Sequence, residues 1–104
     1  MNAKIVYTKN FNDDLKIILD YISHTLKARK AANSLLDEII NKSSIICATP
    51  EAYPIYKSKF RKFPVELRHF SVKNYSIFYT YDKKSNIVKM TNVIYSRRNI
   101  DKII

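Results

Sequence analysis

Between Leu67 and Arg98 the chain reads LRHFSVKNYSIFYTYDKKSNIVKMTNVIYSRR, and this stretch leaves few folds open. Three apolar runs rich in Val, Ile, Phe and Tyr alternate with small or charged residues, the period-2 signature of antiparallel strands. The spacing predicts strands over Leu67–Val72, Tyr75–Tyr81 and Ile87–Tyr95. The first joint, Lys73-Asn74, has the length of a two-residue hairpin turn, which needs positive φ and favours Asn when glycine is absent. The second, Asp82 to Asn86, is longer and polar. Cationic side chains enter this segment at Arg68, His69 and Lys73 and leave it at Arg97 and Arg98. If the three strands are neighbours, one sheet gathers them all.

A chain of 104 residues with 46% hydrophobic content suits one domain, residues 1–104, around one core. There is no glycine, so positions needing positive φ are expected to fall to Asn10, Asn41, Asn74 or Asn86. The absence of glycine also excludes a phosphate-cradling loop. One cysteine, Cys47, excludes an intramolecular disulfide and a cysteine-based zinc site, and fits a cytosolic setting. No apolar run approaches the ~20 residues of a membrane span. The net charge of +10 speaks for a polyanionic partner: nucleic acid, a ribosome or an acidic protein.

Lys4 to Thr8 (KIVYT) reads as a strand that joins the later sheet. Thr8 or Asn10 can cap a helix with Asp13 and Asp14 in its first turn. Phe11, Leu15, Ile18, Ile22 and Leu26 form its apolar stripe. A second helix follows from about Ala31, with Ala32, Leu35, Leu36, Ile39, Ile40, Ser43 and Ile46 on one side, and Thr49-Pro50 ends it. Only Lys27 to Lys30 separates the two patterns, and the joint implies an antiparallel helical hairpin. Glu51 to Val65 is irregular, and Asn99 to Ile104 can form a helical turn. The expected fold is α+β: an N-terminal strand and a two-helix antiparallel hairpin packed on a small, mainly antiparallel sheet, in the order β-α-α-β-β-β.

The helical acids read as solvated surface, Cys47 as a buried thiol and His24 as an exposed residue. The basic cluster is the strongest chemical signal. Lys57, Lys59, Arg61 and Lys62 crowd one loop, and Arg68, His69 and Lys73 follow. Tyr95 beside Arg97 and Arg98 suits stacking on a base while guanidinium groups hold phosphates. Such a set has the chemistry to cleave RNA without metal or cofactor. One group takes the 2′-OH proton, another protonates the leaving oxygen, and cations stabilise the phosphorane. Arg68, His69, Lys73, Tyr95, Arg97 and Arg98 are the candidates for that work. Lys57, Lys59, Arg61 and Lys62 are candidates for binding the target.

The pieces also resemble a known superfamily. KIVYT leads into FNDDLKIILDYI; AANSLLDEI lies on the second helix with Pro50 beyond it; LRHFSVKNYSIFYTYD and VIYSRRNI follow in order. The arrangement is similar to the RelE/ParE toxins of bacterial type II toxin–antitoxin systems. The resemblance implies a RelE/ParE-like fold and a toxin masked by an antitoxin with an acidic or amphipathic segment. RelE-like members cleave mRNA at the ribosomal A site without metal, whereas ParE-like members inhibit DNA gyrase and are not nucleases. RelE-like nucleases commonly carry Arg after the Tyr that opens the central strand, and here that residue is Ser76; the high basic charge, His69 and Tyr95 near Arg97 favour an RNA or ribosome target. The resemblance therefore implies first a metal-independent, ribosome-dependent mRNA endonuclease, with a ParE-like inhibitor of DNA gyrase as the alternative. Arg68, Lys73, Tyr95 and Arg97 match the basic active-site surface of the superfamily.

Overall fold

The computed structural model describes residues 2–58 and 62–104. Its elements are β1 (Lys4–Tyr7), α1 (Lys9–Asp20), a π-helical turn (Tyr21–Thr25), α2 (Arg29–Ala48), β2 (Arg68–Val72), β3 (Tyr75–Asp82), β4 (Ile87–Tyr95) and a short α3 (Ile100–Ile103). The strands form one sheet in the order β1-β4-β3-β2. β2, β3 and β4 are antiparallel neighbours, and β1 joins beside β4 in parallel, Lys4 opposite Ile87 and Tyr7 opposite Met90. The α+β fold read from the sequence is the one observed.

Local chemistry sets each boundary. Thr8 caps α1, its Oγ1 accepting from the Phe11 N–H at 3.1 Å. That start places Asp13 and Asp14 beyond the first turn. Asp13 pairs instead with Lys9 one turn back, at 2.8 Å, and Asp14 reaches across to accept the Val93 N–H at 3.2 Å. The hairpin joint is made by the π-helical turn, where the Leu26 N–H bonds the Tyr21 carbonyl and the Ala28 N–H bonds Ile22. Between them Lys27 adopts a left-handed φ of 52°. The wider turn shifts the helical phase, so Ile22 is buried but Leu26, expected on the same stripe, is exposed. α2 buries Ala32, Leu35, Ile39, Ser43, Ile46 and Cys47. Ile40, expected in the stripe, is exposed at the margin of that face.

Positive φ falls on Lys27, Lys73 and Asn86. Asn74 was the expected left-handed residue of the first hairpin, yet Lys73 takes that role. Asn86 does so in the second, and Asn10 and Asn41 are ordinary α-helical residues.

The sheet has two unlike faces. Phe70, Val72, Ile77, Tyr79, Val88, Met90 and Val93 face the helices and form the main core with Phe11, Leu35, Ile39 and Ile46. A bulge in β4 makes this possible. Phe78 opposes Asn92 and Tyr79 opposes Met90, leaving Thr91 as the extra residue. Met90 and Val93 therefore share a face that strict alternation denies them. On the rear face Leu67, Phe78 and Ile94 form a second cluster, covered by Tyr56 and by Ile100 and Ile104 of the tail. The Tyr56 hydroxyl donates to Asp101, which fastens α3 there. Residues 54–56 also cover the outer edge of β2: His69 N–H bonds Pro54 and Tyr56 N–H bonds Leu67.

Candidate functional site

At the Tyr75 end of the sheet the β2–β3 turn meets the end of β4. Tyr75 pairs with Tyr95 in register, and the Ser96 N–H bonds the Asn74 carbonyl at 2.9 Å. Lys73, Tyr95, Arg97 and Arg98 thus come from sequence positions more than 20 apart into one neighbourhood. The Tyr75 and Tyr95 rings meet edge to face at 5.7 Å. The Tyr75 hydroxyl is held above its usual range by burial and then by the neighbouring hydroxyls of Tyr95 and Tyr21. Ile17, Tyr21 and Tyr95 are exposed here, Ile17 to 69%. Asp14, Ile17, Ile18, Tyr95 and Arg98 line a shallow cleft of about 160 Å³ beside β4. Tyr21 and Ile17 were not among the sequence candidates, because their place on the helix suggested only an amphipathic pattern. Their exposure beside Tyr95 shows once β4 is set against α1.

The remaining candidates lie elsewhere. Arg68 points to the helix face, opposite Tyr79, and donates to the carbonyls of Tyr53 (2.7 Å) and Glu51 (3.1 Å). It stands about 16 Å of strand away from Lys73. Lys73 itself donates to Ser34 Oγ at 3.0 Å and lies 4.0 Å from the Glu38 carboxylate, both on α2. His69 is on the rear face, stacked on Phe78 at 5.7 Å and met edge-on by Tyr56. Burial pushes its pKa below the ordinary value. Lys57 and Lys62 are exposed on the loop over that rear face; Lys59 and Arg61 lie outside the described residues. One concave site holding Arg68, His69, Lys73, Tyr95, Arg97 and Arg98 is therefore not what the strands assemble: the set divides between two faces and two ends of β2.

Ser76 follows the Tyr that opens β3. It is buried on the rear face, and its hydroxyl pairs with Ser96 Oγ at 3.0 Å. Its strand partner is Ile94. Cys47 is buried and its thiol pushed up by burial; His24 is exposed with its ring against the Asp20 carbonyl. Among the described residues no three His, Cys, Asp or Glu side chains converge, and no helix is long and apolar enough to cross a membrane.

Charge divides along the chain. Residues 52–104 hold twelve of the 19 Lys and Arg but three of the nine acids, a net of +9, against +1 for the first 51 residues. The sheet and its loops carry nearly all of the excess.

Residues 5–100 match the family model described as the ParE toxin of the type II toxin-antitoxin system parDE. No curated protein matches the sequence. Among solved structures, the fold is similar to a chain of the chromosomal ParDE system from P. aeruginosa. That match has a TM-score of 0.69 at 13% identity, over 89% of this chain and 95% of that one. It is also similar to a chain of the RelBE2 complex from Mycobacterium tuberculosis, with TM-score 0.56 at 9% identity, over 91% and 99%. A chain of the archaeal RelE-RelB complex from Pyrococcus horikoshii gives 0.57 at 14%, over 94% and 99%.

Proposed function

The chain belongs to the ParE toxin family of type II toxin–antitoxin systems, and we propose that it arrests growth by binding DNA gyrase without catalysis, until a cognate antitoxin masks it. The observation that carries this reading is Ser76. Where nucleases of RelE type commonly place a guanidinium, this chain has a buried serine whose hydroxyl is tied to Ser96. The proton-transfer partner read from the sequence, His69, faces away from Tyr95 and is held between rings. The fold also overlays better on the ParDE chain than on the two RelBE chains named above.

The surface that suits a protein target is the tyrosine end of the sheet. Tyr21, Tyr75 and Tyr95 with Ile17, flanked by Lys73, Arg97 and Arg98, have the aromatic and arginine composition of binding hot spots. The antitoxin has its own seat. Tyr7, Phe11, Leu15, Leu36 and Ile40 line an apolar groove of about 310 Å³ between β1 and the helices. An amphipathic segment with acidic flanks complements both that groove and the net charge of +10.

One observation favours the alternative, ribosome-dependent cleavage of mRNA: Lys73, Tyr95, Arg97 and Arg98 do share one end of the sheet. Brief induction distinguishes the two. The gyrase reading expects intact mRNA with defective supercoiling or cleaved DNA. Mapped mRNA breaks at ribosomal A sites, with supercoiling unaffected, would establish the nuclease instead.

A further inference from the structure

The rear face of the sheet is only half covered. Tyr56, Leu67 and α3 close the Tyr75 end. At the other end the register sets Lys4 opposite Ile87 and Val6 opposite Lys89, with Thr80 opposite Lys89 and Asp82 opposite Ile87. These residues share the rear face, and a trough of about 600 Å³ runs along it, lined by Val65, Thr80, Lys83, Ser85, Lys89 and Thr91 among others.

We propose that this open half of the rear face, built on Lys4 and Lys89, binds the phosphate backbone of duplex DNA. Lys4 and Lys89 stand on neighbouring strands two residues out of step, about 8 Å apart. They are exposed and, among the described residues, make no ion pair. Lys83 lies 3.9 Å from Glu51 in an exposed pair, which leaves it available to a stronger anion. The acid at the trough, Asp82, accepts hydrogen bonds from Ser85 and the Lys84 N–H, which hold its carboxyl ionised and below the usual range; Lys4, Lys83 and Lys89 outnumber that one negative charge. The Thr80 hydroxyl adds a neutral donor of the kind that contacts phosphate and sugar.

Duplex is favoured over single-stranded nucleic acid by what the trough lacks. Single strands are held by stacking bases on exposed aromatic rings. Among the described residues the one ring lining this trough, Tyr81, packs against the main core with its hydroxyl on Asn86. A surface of lysines and hydroxyls without a stacking platform reads backbone, not bases. The inference rests on charge and register, and stands whichever target explains growth arrest.

The test is fluorescence anisotropy of the full chain with a short labelled DNA duplex, and with single-stranded RNA of the same length, between about 50 and 200 mM salt. The expected result is duplex binding that weakens steeply with salt. Lys4→Glu/Lys89→Glu should weaken it roughly tenfold or more and lower the salt slope by about two. A control with the same loss of charge on the helices, Lys16→Glu/Lys30→Glu, should leave most of the affinity. Thermal melting confirms that both variants fold. Equal losses in the two variants, tighter binding of the RNA than of the duplex, or no duplex binding at the lowest salt would each overturn the proposal.

Discussion

Arg68 shows how a cation that looks functional becomes structural. Its guanidinium holds the carbonyls of Glu51 and Tyr53, the segment that brings the chain out of α2 toward β2. Arg68→Ala leaves both acceptors unpaired and should cost roughly 1–3 kcal/mol. Denaturant melts should register that loss, while growth arrest at permissive temperature persists. A loss of arrest without a loss of stability would return Arg68 to the functional set. His69 gives a pH dependence. Its folded pKa lies below the unfolded value of 6.5, so the unfolded chain binds the proton first as pH falls. Stability should therefore decline on acidification through 6.5 and level off below the folded value. His69→Phe, which keeps the stack on Phe78, should flatten that part of the profile. An unchanged profile in this variant would show that another group titrates there.

At the scale of elements, the strands and helices were legible because each carried its own period. Tyr75, Ile77, Tyr79 and Tyr81 fall on every second position as one face of a strand should, and Leu35, Ile39, Ser43 and Ile46 repeat as a helix should. What the pattern concealed were the places where a period changes phase. The bulge at Thr91 and the π-helical turn at Tyr21–Thr25 each insert one residue, and no residue type marks either. That shift exposes Leu26, whereas Tyr21 opens the turn off the apolar stripe and faces solvent; its cluster with Tyr95 was not legible because it depends on how β4 is set against α1. The hairpin joint carries strain of a simple kind, a lysine at φ 52°. Lys27→Asn should relieve part of a left-handed penalty of about 1–2 kcal/mol, and thermal unfolding should move upward. A lower melting temperature would mean that the lysine side chain has a role its backbone does not reveal. Tyr79 tests the core on the other side. Its hydroxyl donates to the Pro50 carbonyl at 2.8 Å, and burial pushes its pKa up to about 12. Tyr79→Phe should cost roughly 1–2 kcal/mol, the penalty of an unpaired buried acceptor.

For the molecule as a whole, charge and topology act together. The helical half is nearly neutral, and the excess positive charge sits on the sheet and its loops. The sequence made the total plain, but its division among faces depended on register. His69 and Arg68 are adjacent in the chain and on opposite faces in the fold. Arg97→Ala/Arg98→Ala removes two exposed guanidinium groups at the tyrosine end, and the fold should survive with thermal melting near that of the parent. Growth arrest should be lost. Full toxicity in a normally folded double variant would place the target surface elsewhere.

The parallel pairing of β1 with β4 also bears on how the chain is made. Lys4–Tyr7 has no partner strand until Ile87–Met90 exists, so the sheet cannot close on a growing polypeptide. Tyr21 likewise waits for Tyr95. At about 5–20 residues per second, translation holds the nascent chain in an unfinished state for roughly 5–20 s. A product that stops before Ile87 lacks β4, so the frame that arrays its tyrosines is never completed.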